Sequence, residues 1–316
     1  MTAPACVPAG LVKENVRPQT RIAALDLGRF LAAFGIVWAH AGAPGAQAGY
    51  TALGLFLVMT GYLAVGSYQR APGPGFWAAR ARRILVPWLI WCVIFRVLHD
   101  VVGHNPFRLL SEPFSLLIGP AIHLWFLPAA MLALLFVPGL ARDIVSRAAL
   151  IRATAGLVVL SALLVAVQTG AGPLDGHLLP EPFPQWSFSL PIYLWGVLHA
   201  LALRLGAGRL TLAGAVLASA ASWAVVPGLA SVQMILSALA FEALRRLPLH
   251  GSSARGALWL GSHAFGIYLM HPFFTLLAYK FLGPDLPKAL LALVSFGGAF
   301  FATAVLLQLP LARRLA

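Results

Sequence analysis

Apolar runs of bilayer length recur along nearly the whole of this chain, and they constrain its fold more than any other feature of the sequence. A membrane-spanning helix needs about 20 predominantly apolar residues. Of the 316 residues, 60% are hydrophobic and only 10% are charged. The sequence therefore predicts an all-α, polytopic integral membrane protein whose chemistry is done by residues in or beside the membrane.

Breaks in hydropathy at Gly, Pro and charged residues divide the chain into about ten candidate transmembrane helices. Residues 1–21 are mixed in character and indicate a short cytosolic tail, while residues 22–316 form one transmembrane domain. The predicted helices begin near Ile22, Tyr50, Phe76, Ser115, Leu150, Trp186, Leu210, Gly228, Ala257 and Leu290.

The basic residues orient these helices, because cytoplasmic links are rich in Lys and Arg. With a cytosolic N-terminus, 17 of the 22 Lys and Arg residues fall in links on the inner side and three in links on the outer side. We therefore expect both termini to be cytosolic. Membrane topology also accounts for the net charge of +13, so no nucleic-acid partner is predicted.

Three ionisable residues lie inside the first predicted helix, in the stretch LDLGRFLAAFGIVWAH from Leu25 to His40. Inserting such a residue into a membrane helix costs a few kcal/mol of free energy, so its presence points to a function. Arg29 and His40 are eleven positions apart, which places them on one helix face about 16 Å from each other. Asp26, three positions before Arg29, lies near the same face.

Two interpretations of this helix remain open. Asp26 and Arg29 could form an ion pair at the lipid interface, with His40 only ending the helix. Alternatively, a polar cleft could hold an anion near Arg29 and transfer a proton at His40, since the pKa of histidine lies close to neutral pH.

This first-helix pattern resembles the signature of the acyltransferase 3 family of membrane-bound acyltransferases, in which an Arg and a His are separated by ten residues. Thr60 and Gly28 depart from the family's commoner residues, which are Ser and a bulkier apolar residue. Four later stretches resemble further family signatures in the same order: LGLFLVMTGYL (53–63), RARRILVPWL (80–89), HLWFL (123–127) and SHAFGIYLMHPFF (262–274).

The resemblance implies a membrane O-acyltransferase of the bacterial plasma (inner) membrane. It would move an acyl group, most simply acetyl, from cytosolic acyl-coenzyme A to a hydroxyl of a sugar or glycan. Acetyl-coenzyme A would be a co-substrate, and neither a bound cofactor nor a metal is expected. The acceptor and the oligomeric state are left open.

The resemblance also assigns roles to residues. Arg29, Arg80 and Arg83 would bind the donor's phosphates, which guanidinium groups suit well. His40, Arg29 and Asp26 would form the catalytic set. His40 would be the general base on the acceptor hydroxyl or the transient carrier of the acyl group, and Asp26 would fix Arg29 or orient the cleft more generally. The residues expected to contact the acceptor are His123, Trp125, Tyr268 and His271.

Several of these assignments have alternatives. The basic cluster before Pro87 also follows from the positive-inside rule, and His271 could mark a kink at Pro272. Trp125 and Trp195 could be anchors at the membrane interface. For the whole chain, the main alternative is a proton-coupled transporter of a small solute, because proton relays also use buried Asp, Arg and His. A third possibility is a sensor or scaffold, which would turn over no substrate.

Overall fold

The computed structural model describes residues 21–103, 122–169 and 182–309, and every regular element in these ranges is helical. Two of these elements are not α-helical: a π-helical turn, Ala81–Leu85, and a 3₁₀ turn, Ile122–Trp125. The α-helices are α1 (Ala23–His40), α2 (Ala48–Arg70), α3 (Pro74–Arg80), α4 (Val86–Gly103), α5 (Phe126–Ala133), α6 (Phe136–Asp143), α7 (Arg147–Thr169), α8 (Phe183–Arg204), α9 (Gly208–Val225), α10 (Leu229–Arg246), α11 (Gly251–Leu282) and α12 (Lys288–Gln308).

The prediction of an all-α polytopic membrane protein is confirmed. Eight helical stretches in the described residues are long and apolar enough to cross a membrane, one of them formed by the 3₁₀ turn with α5 and α6. Helices α4 and α10 occupy two further segments of the sequence-based division. The predicted start near Ser115 and the cytosolic tail up to residue 20 lie outside the described residues, and ten crossings with cytosolic termini stay a prediction.

Helices α2 and α8 pack face to face at the centre of the molecule, and glycines set how closely they approach. A Cβ at Gly61 would lie 2.3 Å from the backbone oxygen of Tyr193. From the other side, a Cβ at Gly196 would lie 2.3 Å from the oxygen of Val58. Small residues allow this kind of backbone contact between membrane helices.

Helix α1 lies between α2 and α11, and of its ionisable residues Asp26 is buried while His40 stays exposed. Gly261 of α11 packs directly on Asp26, where a Cβ would approach within 2.5 Å. On another side, the side chain of Leu244 from α10 fills the space left by Gly28. The departure from a bulkier residue at position 28 is therefore matched by a leucine from a different helix.

Candidate active site

The sequence-predicted site residues gather mainly into two groups, one near each end of α1. We name Arg21, Asp26, Arg29, Arg80 and Arg83 the arginine cluster. We name His40, His123, Tyr268 and His271 the histidine cluster. Because α1 is a single helix, its length keeps the two clusters about 16 Å apart.

His40, in the last turn of α1, is bonded to a histidine of α11. Its Nδ1 lies 2.7 Å from Nε2 of His271, and the two rings are nearly parallel with centroids 5.0 Å apart. His271 is 1% exposed, whereas His40 stays exposed at the surface of the protein. The pair therefore presents one accessible imidazole supported from behind by a buried one.

His123 and Tyr268 complete the histidine cluster from the buried side. The His123 ring centroid lies 5.2 Å from that of His271, and its Nε2–H donates to the carbonyl of Leu269 at 3.3 Å. The Tyr268 hydroxyl donates to the backbone carbonyl of His123. Nδ1 of His123 is buried and has no hydrogen-bond partner among the described residues.

Asp26 anchors the arginine cluster and is 5% exposed. Arg21 donates two hydrogen bonds of 2.9 Å to its carboxylate, from Nε and Nη2, whereas Nη1 of Arg29 lies 3.6 Å from Oδ1. The hydrogen bond to Asp26 raises the pKa of Arg21. The sequence pattern assigns Arg21 to the tail and does not reveal this contact, because only the folded backbone before α1 brings the two side chains together.

Arg80 directly precedes the π-helical turn, and Arg83 lies within it. Arg80 is half-buried with its guanidinium carbon 5.7 Å from the centre of the Phe76 ring, while Arg83 is exposed but within electrostatic range of Arg29. Single π turns occur frequently at functional sites. The arginine cluster as a whole has four guanidinium groups and one carboxylate, so an anion would be attracted to it.

Tyr193 of α8 is a further polar residue near Arg80, and no sequence motif singles it out. It is fully buried, its hydroxyl has no hydrogen-bond partner among the described residues, and it lies within electrostatic range of Arg80. Unpaired buried hydroxyls are costly, so this one is a candidate for binding a ligand.

Trp125 lies two positions after His123 and is buried. Its ring contacts Phe126, which in turn contacts Tyr268 with ring centroids 5.7 Å apart. The carbonyl of Trp125 accepts a hydrogen bond of 3.3 Å from the indole of Trp186. Trp125 therefore forms part of the wall beside the histidine cluster, and no direct contact between its ring and a histidine is found in the described residues.

A second buried network, which no sequence motif indicates, lies between α8, α9 and α10. His199 contacts Thr211 Oγ1 through Nδ1 and Glu242 through Nε2, both at 2.7 Å, and Glu242 also binds Arg245 and Arg246. Most of these side chains line a cavity of about 410 Å³, together with Leu203 and Leu212. His199 and Glu242 are 43 positions apart, so no local pattern could have indicated the pair.

The interpretation of Trp195 as an interface anchor is wrong. Trp195 is fully buried, stacks on the His199 ring with centroids 4.6 Å apart, and donates from its indole to the carbonyl of Thr211 at 2.8 Å. Its polar atom is therefore satisfied inside the protein, and the ring cannot reach lipid headgroups.

The family model of the acyltransferase 3 proteins, described as an acyltransferase domain, matches residues 22–309 of the chain. Nothing among curated proteins or solved structures matches the chain significantly. The family match covers the histidine cluster, the second network and all of the arginine cluster except Arg21.

Proposed function

The chain belongs to the acyltransferase 3 family, and on that premise we propose that it transfers an acetyl group from acetyl-coenzyme A to a hydroxyl of a sugar or glycan. Acyltransferase chemistry and a multi-pass location in a membrane follow from the family and the helices. The donor, the acceptor, the residue roles and the bacterial plasma membrane are the proposed part. Family membership favours the enzyme over a proton-coupled transporter.

One observation carries the proposal: α1 holds an anion-attracting cluster near its first turn and a supported histidine at its last. A coenzyme A thioester has the same two-part character, since phosphates lie at one end and the reacting carbonyl at the other. The separation of about 16 Å along the helix is comparable with the length of the pantetheine arm.

In the proposed donor site, Arg29, Arg80 and Arg83 bind the phosphates of acyl-coenzyme A. Guanidinium groups form paired, charge-assisted hydrogen bonds with phosphate oxygens. Arg29 and Arg83 repel each other in the free protein, and a bound phosphate would relieve that repulsion. Asp26 holds Arg29 near this site, and the Tyr193 hydroxyl is available to the same ligand.

In the proposed acceptor site, His40 takes the proton from the acceptor hydroxyl as its oxygen attacks the thioester carbonyl carbon. A carbon–oxygen ester bond forms, the carbon–sulfur bond breaks, and the proton goes to the departing coenzyme A thiolate. The alternative sequence has the His40 imidazole attack first and carry the acyl group before the hydroxyl displaces it. Both sequences give the same ester and the same free thiol.

The other residues of the acceptor site have different opportunities to bind a hydroxyl. Nδ1 of His123 is an unpaired buried acceptor and suits a hydroxyl donor, provided that the substrate reaches it. The polar side-chain atoms of Tyr268 and His271 already form hydrogen bonds within the protein. These two residues are therefore better suited to position their neighbours than to bind the acceptor directly. Trp125 would contribute an apolar wall.

Transfer of label from radiolabelled acetyl-coenzyme A tests this function in membranes that contain wild type, His40→Ala or Arg29→Ala at equal protein level. We expect label in glycan or lipid-linked sugar with wild type and a loss of at least about 100-fold with His40→Ala, the range for a general base. His250→Ala is the matched control, because His250 is exposed in the link before α11.

Two outcomes would contradict the proposal. Equal transfer by His40→Ala would remove His40 from its central role. The transporter would be favoured over the acyltransferase if no acceptor hydroxyl led to release of coenzyme A and vesicles took up a solute in response to a gradient.

A further inference from the structure

The hydrogen bonds of His271 determine which of its nitrogens carries the proton. Nδ1 of His271 lies 2.8 Å from the backbone carbonyl oxygen of Tyr268. A carbonyl oxygen only accepts hydrogen bonds, so Nδ1 must carry hydrogen. His271 is 1% exposed, and no Asp or Glu of the described residues forms an ion pair with it, so burial favours the neutral ring. In that ring Nε2 is unprotonated and acts as an acceptor.

Pro272 explains why the Tyr268 carbonyl is available for this bond. In an α-helix the carbonyl of residue 268 would accept from the backbone N–H of residue 272. Proline has no N–H, so this helical bond is missing inside α11. The side chain of His271 therefore donates to the Tyr268 carbonyl, which Pro272 leaves without its helical partner. Pro272 thus affects the hydrogen bonding of His271 as well as the shape of the helix.

The position of the proton on His271 in turn determines which nitrogen of His40 carries hydrogen. Because Nε2 of His271 is an acceptor, Nδ1 of His40 at 2.7 Å must be the donor. The lone pair of His40 then lies on Nε2, the nitrogen not engaged with His271. A base or nucleophile needs that lone pair free to reach the substrate.

The support comes from a neutral group rather than a carboxylate. The ring that packs against His271 from the 3₁₀ turn is His123, whose Nε2–H is used on Leu269. Among the described residues no Asp or Glu forms an ion pair with His40, His123 or His271. His271 therefore orients His40 by hydrogen bonding and adds no negative charge beside it.

We propose that His271, held by the Tyr268 carbonyl that Pro272 leaves free, is the positioning residue that keeps the reactive lone pair of His40 on Nε2. This inference rests on the proposed function for the role of His40 in acyl transfer. The tautomers themselves follow from the hydrogen bonds alone, so they can be measured without any substrate.

The first measurement is ¹⁵N NMR of histidine-labelled protein in lipid, with the His40 signals assigned by their loss in His40→Ala. We expect wild-type His40 to show a protonated Nδ1 and an unprotonated Nε2. His271→Leu, which removes the acceptor at similar size, should shift His40 toward a protonated Nε2. His271→Gln keeps an acceptor near the position of Nε2 and should preserve more of the wild-type pattern.

The second measurement separates kcat from KM in acetyl transfer. We expect His271→Leu to lower kcat at least about tenfold with KM for acetyl-coenzyme A within about threefold, since positioning acts on the reacting step. Transfer by His271→Gln should be intermediate. Pro272→Ala restores a competing N–H and should lower kcat less, while Pro191→Ala, at a proline inside α8, should stay near wild type.

The outcomes distinguish this proposal from the proposed function. An unchanged His40 spectrum in His271→Leu, or an unchanged kcat, would overturn the positioning role. If the spectra change as expected but wild type transfers no acetyl group to any acceptor, the proposed function fails while the tautomer assignment stands. Should His271→Leu not fold, His271→Gln and Pro272→Ala carry the same comparison in milder form.

Discussion

Asp26 binds two arginines unequally, and that inequality matters for the donor site. Its carboxylate accepts two hydrogen bonds of 2.9 Å from Arg21, while Arg29 approaches only to 3.6 Å. The side chain of Arg21 is 66% exposed and that of Arg29 is 19% exposed. Arg21 thus satisfies most of the carboxylate, and the less exposed Arg29 keeps donors for an anion.

Replacing each arginine by alanine should therefore affect donor binding differently. Arg29→Ala should raise KM for acetyl-coenzyme A by about tenfold or more, because a hydrogen bond to a charged group contributes about 1.5–3 kcal/mol. Arg21→Ala should change KM by less than about threefold. Initial rates over a range of acetyl-coenzyme A concentrations provide the comparison, and equal effects of the two variants would contradict the assignment.

Glu242, like Asp26, is a buried carboxylate with several charged or polar partners, here His199, Arg245 and Arg246. Removing its charge leaves buried His199 and two arginines without their acid, and breaking such a pair is strongly destabilising. Glu242→Gln should lower Tm in detergent by about 5 °C or more. The control is Asp143→Asn, which breaks an exposed pair with Arg142 and should change Tm little; similar shifts in both would argue against a structural network.

At the scale of the elements, glycines decide where the helices of this protein touch. Gly61 and Gly196 bring the backbones of α2 and α8 together, and Gly261 brings α11 onto Asp26. The histidine cluster needs α1 and α11 in register, and the arginine cluster needs α1 beside the π-helical turn. Small residues that take no part in the proposed chemistry therefore help to set the geometry of both clusters.

An alanine at Gly61 tests this dependence, because its methyl group would overlap the backbone of α8. Overpacking of this kind costs about 1–3 kcal/mol, so we expect Gly61→Ala to lower Tm by several degrees. At Gly156 in α7 a Cβ would have nothing within 4 Å, so Gly156→Ala should leave Tm unchanged or raised by better helix propensity. A fall of Tm in Gly156→Ala as large as in Gly61→Ala would show that the effect is not one of contact.

For the whole molecule, the uneven distribution of Lys and Arg predicts which face of the protein meets the cytosol. Helix α11 tests it directly, since its two ends lie in links of opposite predicted side. Ser252 is exposed at the inner end and Asp285 is exposed just beyond the outer end.

Cysteine labelling measures this orientation in a variant without the two native cysteines, Cys6 and Cys92. A membrane-impermeant maleimide should label Asp285→Cys in intact cells and label Ser252→Cys only after permeabilisation. The reverse labelling pattern would show that the protein has the opposite orientation. The arginine cluster would then face away from cytosolic acyl-coenzyme A.

The sequence by itself determined the membrane class, the positions of most helices and the spacing of Arg29 from His40. Each depends on residues close together along the chain: an apolar run, or two side chains on one helix whose rise per residue is fixed. The ordered family signatures depend on the same local information. Thr60, one of the departures, is locally satisfied too, since its hydroxyl donates to the carbonyl of Phe56 at 2.7 Å.

Only the tertiary structure decided which polar residues meet. His40 and His271 are 231 positions apart and His199 and Glu242 are 43 apart, and no sequence signal identified either partner. Membrane helices are apolar on their lipid-facing and packed sides alike, so periodicity does not reveal which faces touch. Close packing at glycines such as Gly261 helps to set how α1 and α11 lie against each other. In this arrangement the imidazole of His40 meets His271, the residue proposed to determine which of its nitrogens is protonated.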